Sequence, residues 1–141
     1  PEDTPSAEAH PDAPVGQPPK FRRQGSRSNL IAVLNEEVGK LLRGGIRPDD
    51  IVLLTPHSRA HSNLADVETL AGIDVMDLRQ RRPGMLTHAT ISAFKGLEAE
   101  VIFLLDIQPN DPRSDKAAQY VAVSRARSKL YAFTRDGTPL R

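Results

Sequence analysis

Two short segments hold the residues best suited to chemistry. The first is Thr90-Ile91-Ser92-Ala93-Phe94-Lys95-Gly96-Leu97-Glu98, followed by the apolar run that begins near Val101. A strand ending at Thr90 delivers a polar side chain, and Gly96 lets the backbone approach a bound group closely. Ligands of α/β sheets collect at the carboxyl edge, where a carboxylate such as Glu98 accepts hydrogen bonds from a ribose hydroxyl. The second segment is Tyr120-Val121-Ala122-Val123-Ser124-Arg125-Ala126-Arg127-Ser128-Lys129-Leu130-Tyr131. Its apolar residues share one helical face while Arg125 projects from another. A guanidinium fixed on a packed helix suits phosphoryl transfer, which needs a rigid donor facing the charge that develops on a γ-phosphate. Each segment also has a plainer reading. The first is a turn with a capping glutamate, and the second is a solvated basic face.

The rest of the chain limits what these segments could do alone. Nothing matches G-x-x-x-x-G-K-(S/T), the loop that cradles nucleotide phosphates. Gly39-Lys40 is followed by Leu41 within an amphipathic pattern. Residues 102–106 read as four apolar residues and an aspartate, but no glutamate follows. Asp106 is therefore read as a strand-end turn residue, or else as a polar contact in a cleft. There is no cysteine, hence no disulfide or thiolate metal site. His57 and His61 have i,i+4 spacing but no third ligand nearby, and Pro56 points to a loop. With His10 and His88 they read as surface or capping residues, and no metal site is expected.

The elements that must position the two segments alternate. Leu30, Ile31, Val33, Leu34, Val38, Leu41 and Leu42 predict a helix over residues 28–42, capped by Ser28 and stopped by Gly44-Gly45. Residues 51–54 form a short apolar strand of the kind covered on both faces in a parallel sheet. A second helix is expected from Ser62 or Asn63 through Leu64, Val67 and Leu70 to Gly72. Strands follow at 73–78, 86–91 and 101–107, with a basic turn at Arg79, Arg81, Arg82 and Pro83-Gly84. A helix over 115–127 and a strand over 130–133 complete the order. This alternation predicts an α/β layered domain with a mainly parallel sheet.

The chain has 141 residues, the length of one domain, with 19 basic against 18 acidic residues. Nucleic-acid binding therefore has to rest on local clusters rather than on a global field. Arg22, Arg23 and Arg27 read as a solvated approach to the first helix. Residues 1–20, with six prolines and four carboxylates, read as a disordered linker, leaving 21–141 as the folded domain. No apolar run is long enough to span a bilayer, and residues 1–19 do not resemble a signal peptide. The expected compartment is the cytoplasm. The chain opens without Met, so an excerpt of a longer parent is expected.

Together the two segments resemble motifs V and VI of superfamily 1 DNA helicases of the UvrD, Rep and PcrA type. The family patterns run close to T-x-H-x-x-K-G-L-E and Y-V-(A/G)-(V/L)-(T/S)-R-A. Lys95-Gly96-Leu97-Glu98 and Tyr120-Val121-Ala122-Val123-Ser124-Arg125-Ala126 match in the right order. More weakly, residues 45–54 resemble the approach to motif IV, so the likeness covers about residues 30–133. It implies a three-layer RecA-like domain without its own phosphate loop, the second motor domain of an ATP-driven helicase. It further implies that Gly96 and Glu98 meet the ribose and phosphates of ATP, and that Arg125 is an arginine finger. Lys95 would neutralise phosphate or fix its loop, and Thr90 and Ser92 would lie along single-stranded DNA. Mg²⁺ and the phosphate loop would belong to an N-terminal RecA-like domain of the same parent.

Three departures stand out. Ser92 replaces the usual histidine. Thr55 occupies the place of the motif IV arginine, with Arg59 one helical turn on as a substitute contact to nucleotide. Only about thirty residues separate motifs IV and V, which leaves no room for the large accessory insertion. The alternative is a catalytically inactive nucleic-acid or protein binding module, fused for example to a nuclease.

Overall fold

Leu30, Leu34, Val38 and Leu41 recur once per turn, and in the computed structural model they form the buried face of helix α1 (Arg27–Arg43). The structure describes residues 20–94, 96–107 and 126–134. The cap of α1 is Ser26 rather than Ser28: its Oγ accepts from the Asn29 amide at 3.1 Å. The glycine stop is as expected, with the Gly44 amide donating to the Lys40 and Leu41 carbonyls.

Among the described residues, seven strands make one sheet: β1 (Lys20–Arg23), β2 (Ile51–Thr55), β3 (Thr69–Leu70), β4 (Ile73–Asp77), β5 (Leu86–Thr90), β6 (Ala99–Ile107) and β7 (Ala126–Thr134). Their order is β1-β7-β6-β2-β5-β4-β3. Every pairing is parallel except that of β3 with β4. Every residue of β2 is buried, and in β6 only Glu100 is not. Apolar runs without alternation suit strands covered on both faces.

Alternate residues feed two cores. Ile51, Leu53, Val101, Phe103, Leu105, Tyr131 and Phe133 pack with α1 on one face. Val52, Leu54, Ile102, Leu104, Leu130 and Ala132 pack with Ile91 and Phe94 on the other. Phe103 and Tyr131, opposite each other in register, stack at 4.5 Å with an interplanar angle of 7°.

Two expectations are corrected. The helix expected at 62–72 does not form. A single 3-10 turn, Arg59–His61, leads into successive turns and then the hairpin of β3 and β4. Asp66 adopts φ 64, outside the helical region, and Asn63 turns both its backbone and side-chain amides toward Asp106. Leu64, Val67 and Leu70 are still buried, because a chain of turns serves their three-residue spacing as well as a helix does. The basic stretch before α1 is a strand in part: β1 pairs with β7. The helix expected over 115–127 lies outside the described residues, except that Ala126 and Arg127 belong to β7. Residues 1–19 also lie outside them.

Candidate functional site

Strand register fixes where the described ends of the two segments come together. Thr55 at the end of β2 is level with Thr90 at the end of β5, while Leu54 is level with Leu104 in β6. Ala99, which opens β6, is therefore about six residues, or about 20 Å, back along the strands from the level of Thr90. The loop from Ile91 to Glu98 runs the length of the sheet. Thr90 ends up at the carboxyl edge and Glu98 at the amino edge, not both at the carboxyl edge as the sequence had implied.

At the amino edge, Ala99 pairs with Ala126. This brings Glu98 beside Arg127: Oε1 and Nε are 3.6 Å apart, with the side chains 51% and 59% exposed respectively. Glu100, the next carboxylate along, accepts from the Ser128 hydroxyl. Gly96 has φ 85, and a Cβ there would meet nothing within 4 Å, so its requirement is conformational and its surroundings are open. Arg125 and Lys95 lie outside the described residues. Arg125 directly precedes Ala126 in sequence, and Lys95 directly precedes Gly96.

At the carboxyl edge the motif V loop is built from turns. The Ile91 amide donates to the Thr55 carbonyl at 2.9 Å, and the Ala93 amide to Thr90 Oγ1 at 3.0 Å. Ser92 is exposed. Beside this turn lies a pocket of about 470 Å³, lined by Ser58, Arg59, Asp77, Arg79, His88 and Thr90 together with apolar Leu78 and Ala89. Arg59 thus stands with Thr90, not with Gly96 and Glu98. Its guanidinium donates to the Val67 carbonyl and lies 3.6 Å from Asp77 Oδ1.

His88 is 3% exposed, not a surface residue. Nε2 lies 2.8 Å from Thr55 Oγ1, and Nδ1 lies 3.3 Å from Asp77 Oδ1. Thr55, itself fully buried, donates its hydroxyl proton to the His57 carbonyl at 2.5 Å. Burial pushes the His88 imidazole below its ordinary value; the hydrogen bond and charge of Asp77 oppose the shift, Arg59 adds to it, and Asp106 opposes it.

Asp106 is a buried side chain of β6, not a strand-end turn residue. Oδ1 accepts from Gln24 Nε2 and from Asn63 Nδ2, both at 2.6 Å, and Oδ2 accepts from the Asn63 amide at 2.9 Å. The Asp106 amide in turn donates to Gln24 Oε1 at 2.8 Å. Its φ of 59 coincides with a register shift between β6 and β7. The clamp ties the segment before α1, the turn before β3 and β6 into one carboxyl edge. Sequence alone gave no signal of it beyond the aspartate that closes the apolar run.

Among the described residues, no three His, Asp or Glu side chains come together to hold a metal ion. No helix among them is long and apolar enough to cross a membrane.

No family model matches the chain, and no curated protein matches it. Among solved structures, it is similar to the C-terminal domain of a possible DNA helicase from Lactobacillus plantarum WCFS1. The TM-score is 0.57 at 14% identity, over 88% of this chain and 75% of that one. At that identity the likeness is one of fold: a RecA-like α/β domain with a mainly parallel sheet.

Proposed function

We propose that this chain is the second motor domain of an ATP-dependent DNA helicase or translocase. The observation that supports this reading is that the end of the first motif and the residues that close and follow the second meet at one sheet edge, where Glu98 pairs with Arg127 and Ala99 stands opposite Ala126. In this reading Gly96 and Glu98 face the ribose and phosphates of ATP, Lys95 neutralises phosphate, and Arg125 reaches the γ-phosphate. Arg125 does no covalent chemistry. It stabilises charge on the transferring phosphoryl group, an effect worth roughly 10³ to 10⁵ in rate for arginine fingers.

The phosphate loop would come from a first RecA-like domain of the parent, along with the carboxylates that hold Mg²⁺. Held there, Mg²⁺ would supply positive charge that offsets the charge on the phosphates. Thr90 and Ser92 face single-stranded DNA at the other edge, and Arg59 joins them there. With about 20 Å of strand between it and Glu98, Arg59 is better placed for a phosphate at the carboxyl edge than for the ribose side of ATP. Closure of the two motor domains on ATP then shifts the grip on the strand, in a cytoplasmic setting.

The test is the affinity of the complete parent for single-stranded DNA, with and without a non-hydrolysable ATP analogue. A several-fold change on adding nucleotide is expected, with an affinity that falls as salt rises. Nucleotide-independent binding would favour an inactive binding module. The isolated domain is expected to show no ATP turnover above background.

A further inference from the structure

The pocket beside Thr90 contains an unresolved competition. Arg59 Nη1 and His88 Nδ1 both address the same oxygen, Asp77 Oδ1, at 3.6 and 3.3 Å. The His88 ring cannot satisfy its surroundings in either neutral form. A hydroxyl has one proton, and that of Thr55 is directed at the His57 carbonyl, so Thr55 Oγ1 can only accept from Nε2–H. Nδ1 is then bare and faces Asp77 Oδ1, acceptor against acceptor. The other tautomer reverses the fault: Thr55 must donate to Nε2, which leaves its oxygen against the His57 carbonyl. Only the doubly protonated ring satisfies all three contacts. Burial opposes that state and pushes the imidazole below its ordinary value.

We propose that this pocket is a proton-linked site for a phosphate-class oxyanion, in which Arg59 passes from Asp77 to the anion as His88 takes up a proton and replaces it on Asp77. The proposal deepens the assignment of the carboxyl edge to phosphate contacts and rests on it. Among the described residues, the charged groups facing His88 are Asp77 from β4, Arg59 from the turn after β2, and Asp106 from β6. Asp106 is committed to Gln24 and Asn63, which leaves Asp77 as the carboxylate that the two cations share. Arg79, exposed on the pocket wall, adds a second guanidinium. Thr90 accepts from the Ala93 amide and keeps its own hydroxyl proton to donate. An anion on Arg59 removes a positive charge beside His88 and vacates Asp77 Oδ1. Both effects favour the proton, and by reciprocity the proton favours the anion by the same factor.

The experiment uses the 141-residue chain, without nucleotide or DNA, and sulfate as the probe because its charge is constant between pH 5 and 8. The titration of the His88 ring is followed by NMR in sulfate and in chloride of matched ionic strength. His88→Gln identifies the resonance. Sulfate is expected to raise the midpoint by at least about half a pH unit, corresponding to roughly threefold tighter sulfate binding to the protonated form. Arg59→Gln should abolish the sulfate-dependent shift. An unmoved midpoint in the unaltered chain, or a ring that stays neutral down to acid unfolding in both salts, overturns the proposal, as does an equal shift in Arg59→Gln. None of these outcomes bears on Arg125 or ATP turnover, so the motor reading stands or falls separately.

Discussion

Glu98 Oε1 lies 3.6 Å from Arg127 Nε, across the amino ends of β6 and β7. With about half of each side chain in solvent, the pair is screened and contributes little to folding. Its importance is positional. The loop after β5 and the start of β7 come from distant parts of the sequence, and the pairing of β6 with β7 sets the two side chains at one edge, the edge proposed to meet nucleotide.

Glu98→Gln should therefore separate function from stability. The urea unfolding free energy of the chain is expected to change by less than about 1 kcal/mol. In the complete motor, loss of a charged acceptor for ribose hydroxyls should raise the KM for ATP about tenfold, near 1.4 kcal/mol. Equal nucleotide affinity in the two proteins would remove Glu98 from the site.

Stability should also depend on pH through His88. Its imidazole is held below the ordinary value of 6.5 by burial, so at mildly acidic pH the unfolded chain binds the proton more readily than the folded one. The stability that the neutral ring contributes is fully present above 6.5 and is lost as the pH falls through the lowered folded value. Urea midpoints measured between about pH 7.5 and 5 should fall more steeply in the unaltered chain than in His88→Gln. Parallel profiles would contradict the assignment.

Asp106→Asn tests the carboxyl-edge clamp. Asparagine tolerates the φ of 59 as aspartate does, so the backbone is unchanged. One acceptor oxygen becomes an NH₂ group facing either the amides on Oδ1 or the Asn63 amide on Oδ2. Donor against donor in a buried site should cost about 1–3 kcal/mol in chemical denaturation. A neutral substitution would mean that the clamp adds nothing to the edge.

The parts of this fold that were legible in the sequence are those in which one pattern allows one structure. Leu30, Leu34, Val38 and Leu41 fit a helix, and the apolar run from Val101 to Leu105, with Asp106 before Ile107, fits a buried strand. Leu64, Val67 and Leu70 have a spacing that turns satisfy equally well, and the preference of Asn63 for Asp106 is a long-range contact that no local pattern carries. The same holds for Gln24, which meets Asp106 from the far end of the chain. His88 looked isolated because its partners Thr55 and Asp77 lie on the neighbouring strands β2 and β4. The expectation that Glu98 lies at the carboxyl edge failed for a different reason. A loop of eight residues spans a parallel sheet from edge to edge, so closeness in sequence placed Thr90 and Glu98 at opposite ends.

The most direct measurement is the ATP turnover of the complete motor carrying Arg125→Ala, under saturating single-stranded DNA. The account predicts that kcat falls roughly 10³- to 10⁵-fold with only a modest change in ATP affinity. Turnover equal to that of the unaltered motor would contradict it.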